Sequence, residues 1–346
     1  MQHPPHRPSD PTAPKAAGTP HRPGGRAIGR RLRRATVLAA VLLATAAGAA
    51  HAGLPRDAAP ESGQGTAYRL WERAFVASTR HPDAPPPGAG DWDCVPGARH
   101  PRPVVLVHGT YENAYNNWRA VAPRLRADGY CVFAANVGAP AGDIVKGRAA
   151  VPESAEQLAR FVDRVLDRTG TRQVDLVGHS QGGGILPRYY LKFAGGTDPR
   201  DPARNKVRRL IGVAPANHGS TVSGLATLAK RLHILAPAAR FGGQALADQT
   251  IASAVNTRLD AGGDTLPGVR YTTVVTRKDR IVTPYARQYL QPAHPGDRVT
   301  NITVQDLCPL DRTGHMGSPY DPVVLRLVRN ALDPATARRP DCASTP

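Results

Sequence analysis

Nowhere does this sequence supply the ~20 consecutive apolar residues that a membrane-spanning helix needs. The apolar run Ala35–Ala50 stops at 16 residues, most of them small. There is no C-x-x-C pair, and no cysteine shares a histidine cluster with metal-ligand spacing. That argues against a zinc site. Lysine is rare: 39 of the 45 basic residues are Arg, and beyond residue 34 they are strewn along the chain without long runs. A formal charge of +18 could suit nucleic acid or an anionic membrane. With the charges so dispersed, the expectation is no nucleic-acid partner.

What is present begins with a leader. Residues 1–34 are rich in Pro, Gly, His and Arg and close on Arg30-Arg31-Leu32-Arg33-Arg34; the apolar run follows, then Ala50-His51-Ala52. A basic segment, a short apolar segment and an A-x-A end read as a secretory signal cleaved after Ala52. The paired arginines permit twin-arginine export without requiring it. Of the 45 Lys/Arg and 27 Asp/Glu, the leader holds eight and one, so Gly53–Pro346 keeps +11. Those 294 residues suffice for one substantial core. Four cysteines, Cys94, Cys131, Cys308 and Cys342, imply disulfides in an exported chain, with three connectivities open. Position favours Cys94–Cys131, tying an N-terminal arm to a sheet, and Cys308–Cys342, clamping the C-terminal tail.

Six extended runs alternate with helical ones: Pro103–His108, Tyr130–Ala135, Gln173–Gly178, Arg208–Ala214, Arg270–Thr276 and Val299–Gln305. Several are rich in Val and Ile without polar alternation, as strands covered on both faces are. Glu153–Thr169 carries Leu158, Phe161, Val162, Val165 and Leu166 on one helical face, with Gly170 as the stop. The order strand, helix, strand predicts a parallel sheet in a single α/β domain over residues 102–346. Residues 53–101 read as an N-terminal arm: a helix over Tyr68–Ser78, then an extended stretch enforced by Pro82, Pro85, Pro86 and Pro87. Leu225, Leu228, Leu232 and Leu235 fall at near-helical spacing, which fits either a crossover helix or a mobile apolar flap.

The third run ends in Gly178-His179-Ser180-Gln181-Gly182, a G-x-S-x-G at a strand-to-helix turn. Such a turn lifts a serine hydroxyl into reach as a nucleophile, and the glycines leave room where backbones approach. A serine needs a histidine to take its proton, and that histidine needs a carboxylate to fix its tautomer. Of His218, His233, His294 and His315, only His315 follows the last strand, and it lies between glycines in Gly314-His315-Met316-Gly317. For the acid, Asp279 stands at the carboxyl end of the fifth run, where the sites of open α/β sheets gather; Asp264 and Asp306 are the competitors. A tetrahedral oxyanion needs two backbone N–H groups. Gln181 follows the nucleophile, and Thr110, in the loop after the first run, adds a hydroxyl as a third donor. Trp118 reads as a packing residue.

The runs Val104-Val105-Leu106-Val107-His108-Gly109-Thr110, Gly178-His179-Ser180-Gln181-Gly182-Gly183, Thr276-Arg277-Lys278-Asp279-Arg280-Ile281-Val282-Thr283-Pro284 and Gly314-His315-Met316-Gly317-Ser318 resemble those of secreted, actinobacterial-type triacylglycerol lipases. More distantly they are similar to Candida antarctica lipase B, which shares Ser-Gln-Gly-Gly and Asp-x-Ile-Val-x-Pro. The resemblance spans roughly residues 94–342. It implies an α/β-hydrolase fold, with a mostly parallel sheet of about six strands and helices on both faces. It also implies Ser180, Asp279 and His315 as a triad, Thr110 and Gln181 as the oxyanion hole, and the two disulfides named above. The chemistry needs no cofactor and no metal. The expected partner is a lipid or other hydrophobic ester at a lipid–water interface, met by a monomer. A polyester depolymerase, a phospholipase or an acyltransferase would use the same triad; a non-catalytic envelope-binding module is the reading from another class. There are departures: His179 stands where lipase B has Trp, Pro187 should kink the helix after Ser180, and residues 220–264 do not align.

Overall fold

The computed structural model describes residues 63–222 and 242–344. Residues 1–62, which include the expected leader, and the Leu225–Leu235 segment with His233 lie outside the described residues.

In chain order the elements are α1 (Gly63–Ser78), β1 (Val104–Val107), α2 (Ala114–Trp118), α3 (Val121–Ala127), β2 (Val132–Ala135), α4 (Val151–Thr169), β3 (Val174–His179), α5 (Ile185–Phe193), β4 (Val207–Val213), α6 (Gln244–Asp248), α7 (Ala254–Asp260), β5 (Arg270–Val275), β6 (Arg298–Thr303), α8 (Val304–Leu307) and α9 (Pro322–Leu332). The strands form one sheet in the order β2-β1-β3-β4-β5-β6. Every neighbouring pair is parallel. All six expected strands form, each within two residues of its predicted bounds.

Alternate residues of β1 show why the strands are apolar throughout. Val105 and Val107 join one core with Leu158, Val162 and Val165 of α4 and Ile185, Leu186 and Tyr190 of α5. Val104 and Leu106 join another with Leu125 of α3 and Val323, Val324, Leu327 and Val328 of α9. The inner strands of the sheet, β1 and β3 above all, are thus buried on both faces, which period-2 patterning cannot satisfy but continuous Val/Ile/Leu runs can. Helix α4 ends where expected, Gly170 adopting the left-handed conformation at φ 64° that only glycine takes without cost. Trp118 is fully buried in the second core, as a packing residue should be.

The arm lies along the outer edge. Gly90 N–H donates to Val132 O at 2.9 Å, and Cys94 is disulfide-bonded to Cys131. Together they cover a strand edge that would otherwise present unpaired backbone groups. The second disulfide joins Cys308 and Cys342, so both favoured pairings are present.

Two sequence expectations shift. The helix after Ser180 does not kink at Pro187. A 3-10 turn, Ser180–Gly183, closes first, the chain breaks at Gly184 (φ −127°, ψ −104°), and α5 starts at Ile185. Pro187 then falls in the first turn of α5, where a missing N–H costs nothing. The arginines are not dispersed either, since parallel register gathers Arg209, Arg270 and Arg298 at one end of the sheet.

Because Leu158 is fully buried between α4 and the sheet, Leu158→Ala should lower unfolding stability by about 2–5 kcal/mol. Urea denaturation of both proteins at matched pH checks it.

Candidate active site

In the sheet order the chain leaves β1 toward β2 and leaves β3 toward β4, in opposite directions. That switch point opens a crevice at the strand carboxyl ends, between the loop after β1 and the turn after β3. Ser180 occupies that turn with φ 55°, a left-handed conformation that costs a non-glycine residue about 1–3 kcal/mol. A Cβ on Gly178 would sit 1.7 Å from Gly182 O, so the turn itself demands glycine there. A Cβ on Gly182 would sit 2.3 Å from His108 O, so Gly182 clears the end of β1. Ala216 N–H donates to Ser180 O at 2.9 Å, and a Cβ on Gly184 would come within 2.5 Å of the Ala216 backbone. The exit of β4 therefore braces the turn from the side opposite β1.

Asp279 and His315 meet as the sequence requires. His315 Nδ1 lies 2.7 Å from Asp279 Oδ2, and both residues are buried. Asp279 Oδ2 also accepts from Gln288 Nε2 at 2.9 Å, while Oδ1 accepts the N–H groups of Ile281 and Val282, each at 2.8 Å. Burial pushes this carboxyl up, but His315 and the two backbone donors outweigh it and hold it below the usual Asp value. Burial likewise disfavours the charged imidazole of His315. The charge and hydrogen bond of Asp279, with help from Glu112, overcome that and raise it above the ordinary 6.5. The His315 loop is pinned to β5 by Thr276 Oγ1, which donates to Thr313 O at 2.7 Å and accepts from Gln305 Nε2 at 3.0 Å.

The loop after β1 approaches the serine closely, since a Cβ on Gly109 would lie 3.1 Å from Ser180 Cβ. Gly109 N–H is committed to Glu112 Oε2 (3.1 Å) and Asn117 Oδ1 (3.3 Å), and Tyr111 N–H to Lys146 O (2.9 Å). Among the described residues no acceptor partners the Thr110 N–H. The Thr110 hydroxyl is differently placed from the expected third donor. It gives its hydrogen to Gln181 Oε1 at 2.8 Å and accepts from Gln249 Nε2 at 2.8 Å. It joins the two loops instead of standing free.

Beneath these loops is a polar cluster that sequence reasoning passed over. Glu112 is buried and takes hydrogen bonds from Trp71 Nε1 (2.6 Å), Asn117 Nδ2 (3.0 Å) and Gly109 N–H, with His179 Nδ1 at 2.9 Å. Burial raises this carboxyl, but His179, Trp71 and His315 together lower it further. His179 Nε2 donates to His315 O at 3.0 Å, and the two imidazole centroids are 4.8 Å apart. His179 is the variable position of the G-x-S-x-G motif and Glu112 lies in an irregular loop, so neither had a signal beyond residue type. The same holds for Gln249 and Gln288.

A model of the family described as Lipase (class 2) matches residues 101–234. A triacylglycerol lipase of Pseudarthrobacter phenanthrenivorans is 38% identical over 98 residues, covering 27% of this chain and 28% of that one. A triacylglycerol lipase of Burkholderia plantarii is 37% identical over 98 residues, covering 27% and 25%. The matched stretch is thus 28% of the first relative's length and 25% of the second's. The crystal structure of Aspergillus fumigatus lipase B superposes with a TM-score of 0.55 at 20% identity, covering 77% of this chain and 59% of that one. The chain has the α/β-hydrolase fold.

Within this hydrolase fold the competing candidates have other partners. His218 lies 2.8 Å from Asp260 Oδ1, 3.4 Å from Asp264 Oδ2 and 3.1 Å from Tyr289 O. Burial opposes its charge, but the bonds to Asp260 and Asp264 raise it to about 9. His218, Asp260 and Asp264 have metal-ligand chemistry. Buried Arg188 lies 3.0 Å from Asp264 and 3.5 Å from Asp260, so two cations already balance the two carboxylates. Asp306 pairs with Arg277 at the surface. His294 is exposed and binds Asp297 through its backbone N–H. His108, also buried, is pushed down to about 4 by burial and accepts from Val137 N–H at 3.2 Å.

The charged groups facing His315 are Asp279, Glu112 and, if protonated, His179. In NMR titration the His315 ring should therefore titrate above the ordinary 6.5. Glu112→Gln should move its midpoint down. Asp279→Asn should move it below 6.5, because burial then dominates; an unmoved midpoint in Asp279→Asn contradicts the pairing.

Proposed function

We propose that this chain is a secreted serine carboxylic-ester hydrolase of the lipase type, with Ser180, Asp279 and His315 as its triad. The observation that carries this reading is the buried 2.7 Å contact between His315 and Asp279, on a loop hydrogen-bonded to the residue just before a serine held at φ 55°. The lipid-ester substrate class, with triacylglycerol foremost, is supported by the names of the two bacterial relatives.

In this mechanism Asp279 keeps the hydrogen of His315 on Nδ1, leaving Nε2 free to accept a proton. Ser180 Oγ attacks the ester carbonyl as its proton passes to Nε2. The carbonyl π-electrons move to oxygen, and that oxyanion accepts from the N–H groups of Thr110 and Gln181. The tetrahedral intermediate then collapses: the carbon–alkoxy bond breaks, and the alcohol leaves with the proton from His315. Water repeats the sequence on the acyl-enzyme, its proton going to His315 and then to Ser180 Oγ as the carboxylic acid departs. Asp279, held low by its donors, stabilises the imidazolium formed at each step.

The same reading takes residues 1–52 as a leader removed after Ala52, 53–101 as an N-terminal arm and 102–346 as the catalytic domain. Two disulfides suit the oxidising compartment that export reaches. The arm is more than a spacer, since Trp71 reaches Glu112 under the site. No cofactor enters the chemistry, and a monomer working at a lipid–water interface suffices.

Ser180→Ala should lower kcat for p-nitrophenyl butyrate and emulsified triglyceride by about 10⁴-fold or more, with far-UV circular dichroism unchanged. Undiminished hydrolysis by the variant ends the proposal. His315 must be neutral to accept the proton, and its pKa is raised. The wild-type kcat/KM should therefore fall as pH drops, with the acid limb centred above 6.5.

A further inference from the structure

The groups of the proposed ester chemistry stand at the carboxyl ends of the strands, and the amino ends carry something else. Parallel register sets Asp175 of β3, Arg209 of β4, Arg270 of β5 and Arg298 of β6 in one row. Paired residues of adjacent parallel strands share a face, with strands ~4.8 Å apart. The row therefore places one carboxylate beside three guanidinium groups.

Asp175 is paired with arginines at its own end through one oxygen, while its Oδ1 is buried without a hydrogen-bond partner. Its Oδ2 lies 3.0 Å from Arg209 Nη1 and 3.3 Å from Arg102 Nε. Among the described residues, neither Arg270 nor Arg298 forms an ion pair or a side-chain hydrogen bond, and Arg270 Nε is buried without a partner. Arg208, next in sequence to Arg209, spends Nη1 on Gly268 O at 2.8 Å. Burial, and then the mutual repulsion of Arg102, Arg208, Arg209 and Arg298, lowers the Arg270 pKa. A cleft beside Asp175 is lined by that carboxylate and by Asp333 as well as by Arg99 and Arg102. An anion finds least opposition at the Arg270–Arg298 end.

Nothing in ester hydrolysis requires this. Ser180 lies five residue steps along the chain from Asp175, about 16 Å at ~3.3 Å per residue. Like charges at strand spacing repel, and unpartnered guanidinium forks are well matched to the paired oxygens of a phosphate group. We propose that Arg209, Arg270 and Arg298 form a binding site for a phosphate-type oxyanion at the amino ends of β4–β6, remote from Ser180. The anion bridges Arg270 and Arg298, with Arg209 fixed beside them by Asp175. Its source is either a soluble phosphate compound or a phospholipid headgroup.

Isothermal titration of the purified protein with sodium tripolyphosphate, at constant ionic strength, tests the site. Saturable binding is expected, weakened roughly tenfold or more by Arg270→Gln with Arg298→Gln. Arg80→Gln with Arg160→Gln, two exposed arginines outside the row, should leave Kd unchanged. Flotation with phosphatidylglycerol vesicles, against phosphatidylcholine, separates the sources. Flotation lost in the double variant assigns a lipid headgroup; tripolyphosphate binding without flotation assigns a soluble compound. Should the double variant not fold, Arg298→Gln at its exposed position is read in the same way and should weaken binding about threefold. Absence of binding, or equal affinity and flotation for wild type and variants, overturns the site. Neither assay reads ester hydrolysis, so the result stands apart from the proposed activity.

Discussion

The close approach of three backbones around Ser180 governs the rest of the structure. Gly178 and Gly182 admit no Cβ because carbonyl oxygens of Gly182 and His108 already occupy the space. Within that confinement the chain must reverse in one residue, and Ser180 takes a left-handed conformation to do it. Such strain persists only when the surroundings over-determine it. Here they do so through the sheet, since β3 is hydrogen-bonded between β1 and β4 and buried along its whole length. The Ala216 N–H holds Ser180 O from the β4 side. Stability drawn from two cores thus supports one unfavourable residue whose side chain is left at the crevice.

The second constraint is electrostatic and lies under the first. A carboxylate as buried as Glu112 costs several kcal/mol unless its lone pairs are satisfied. Its partners come from α1, the loop after β1, α2 and β3. Satisfying one charge therefore requires four separate segments to be in place together. His179 passes this order on, because the ring that meets Glu112 on one side holds the His315 carbonyl on the other. The relative position of Ser180 and His315 is consequently set from below, by the residue preceding the serine, as well as by Asp279 from the side.

Much of this was legible in the sequence because the signals were local. Six apolar runs, a glycine after α4, and a serine, an aspartate and a histidine each following a different run carry their meaning within a few residues. The pairing of Cys94 with Cys131 was also readable, since one arm and one strand leave little choice. What escaped was non-local. Glu112 is one acidic residue in an irregular loop, and its importance arises only when Trp71, 41 positions earlier, and His179, 67 positions later, arrive beside it. The Thr110 hydroxyl was misjudged for the same reason. Gln249, 139 positions away, takes part in its bonding and turns a free donor into a tie between loops. Pro187 shows a different limit: a helix break displaced by one turn, to Gly184, converts a disruptive residue into a tolerated one.

Charge was the property least readable from sequence, and the parallel sheet explains why. A window along the chain never sees Arg209, Arg270 and Arg298 together, because Arg270 follows Arg209 by 61 positions and Arg298 follows Arg270 by 28. A parallel sheet starts every strand at the same end, so it collects residues near the strand starts from distant parts of the chain into one row. The carboxyl ends are collected in the same way, which brings Ser180, Asp279 and the loop bearing His315 to one crevice. One topology therefore produces two chemically opposite ends, with buried carboxylates Asp279 and Glu112 near the serine and guanidinium groups at the far edge. Dispersal of arginine in the sequence says little about the field on the surface, because register, not sequence proximity, decides which charges meet. The same rule that makes the serine site recognisable makes the arginine row invisible until the strands are paired.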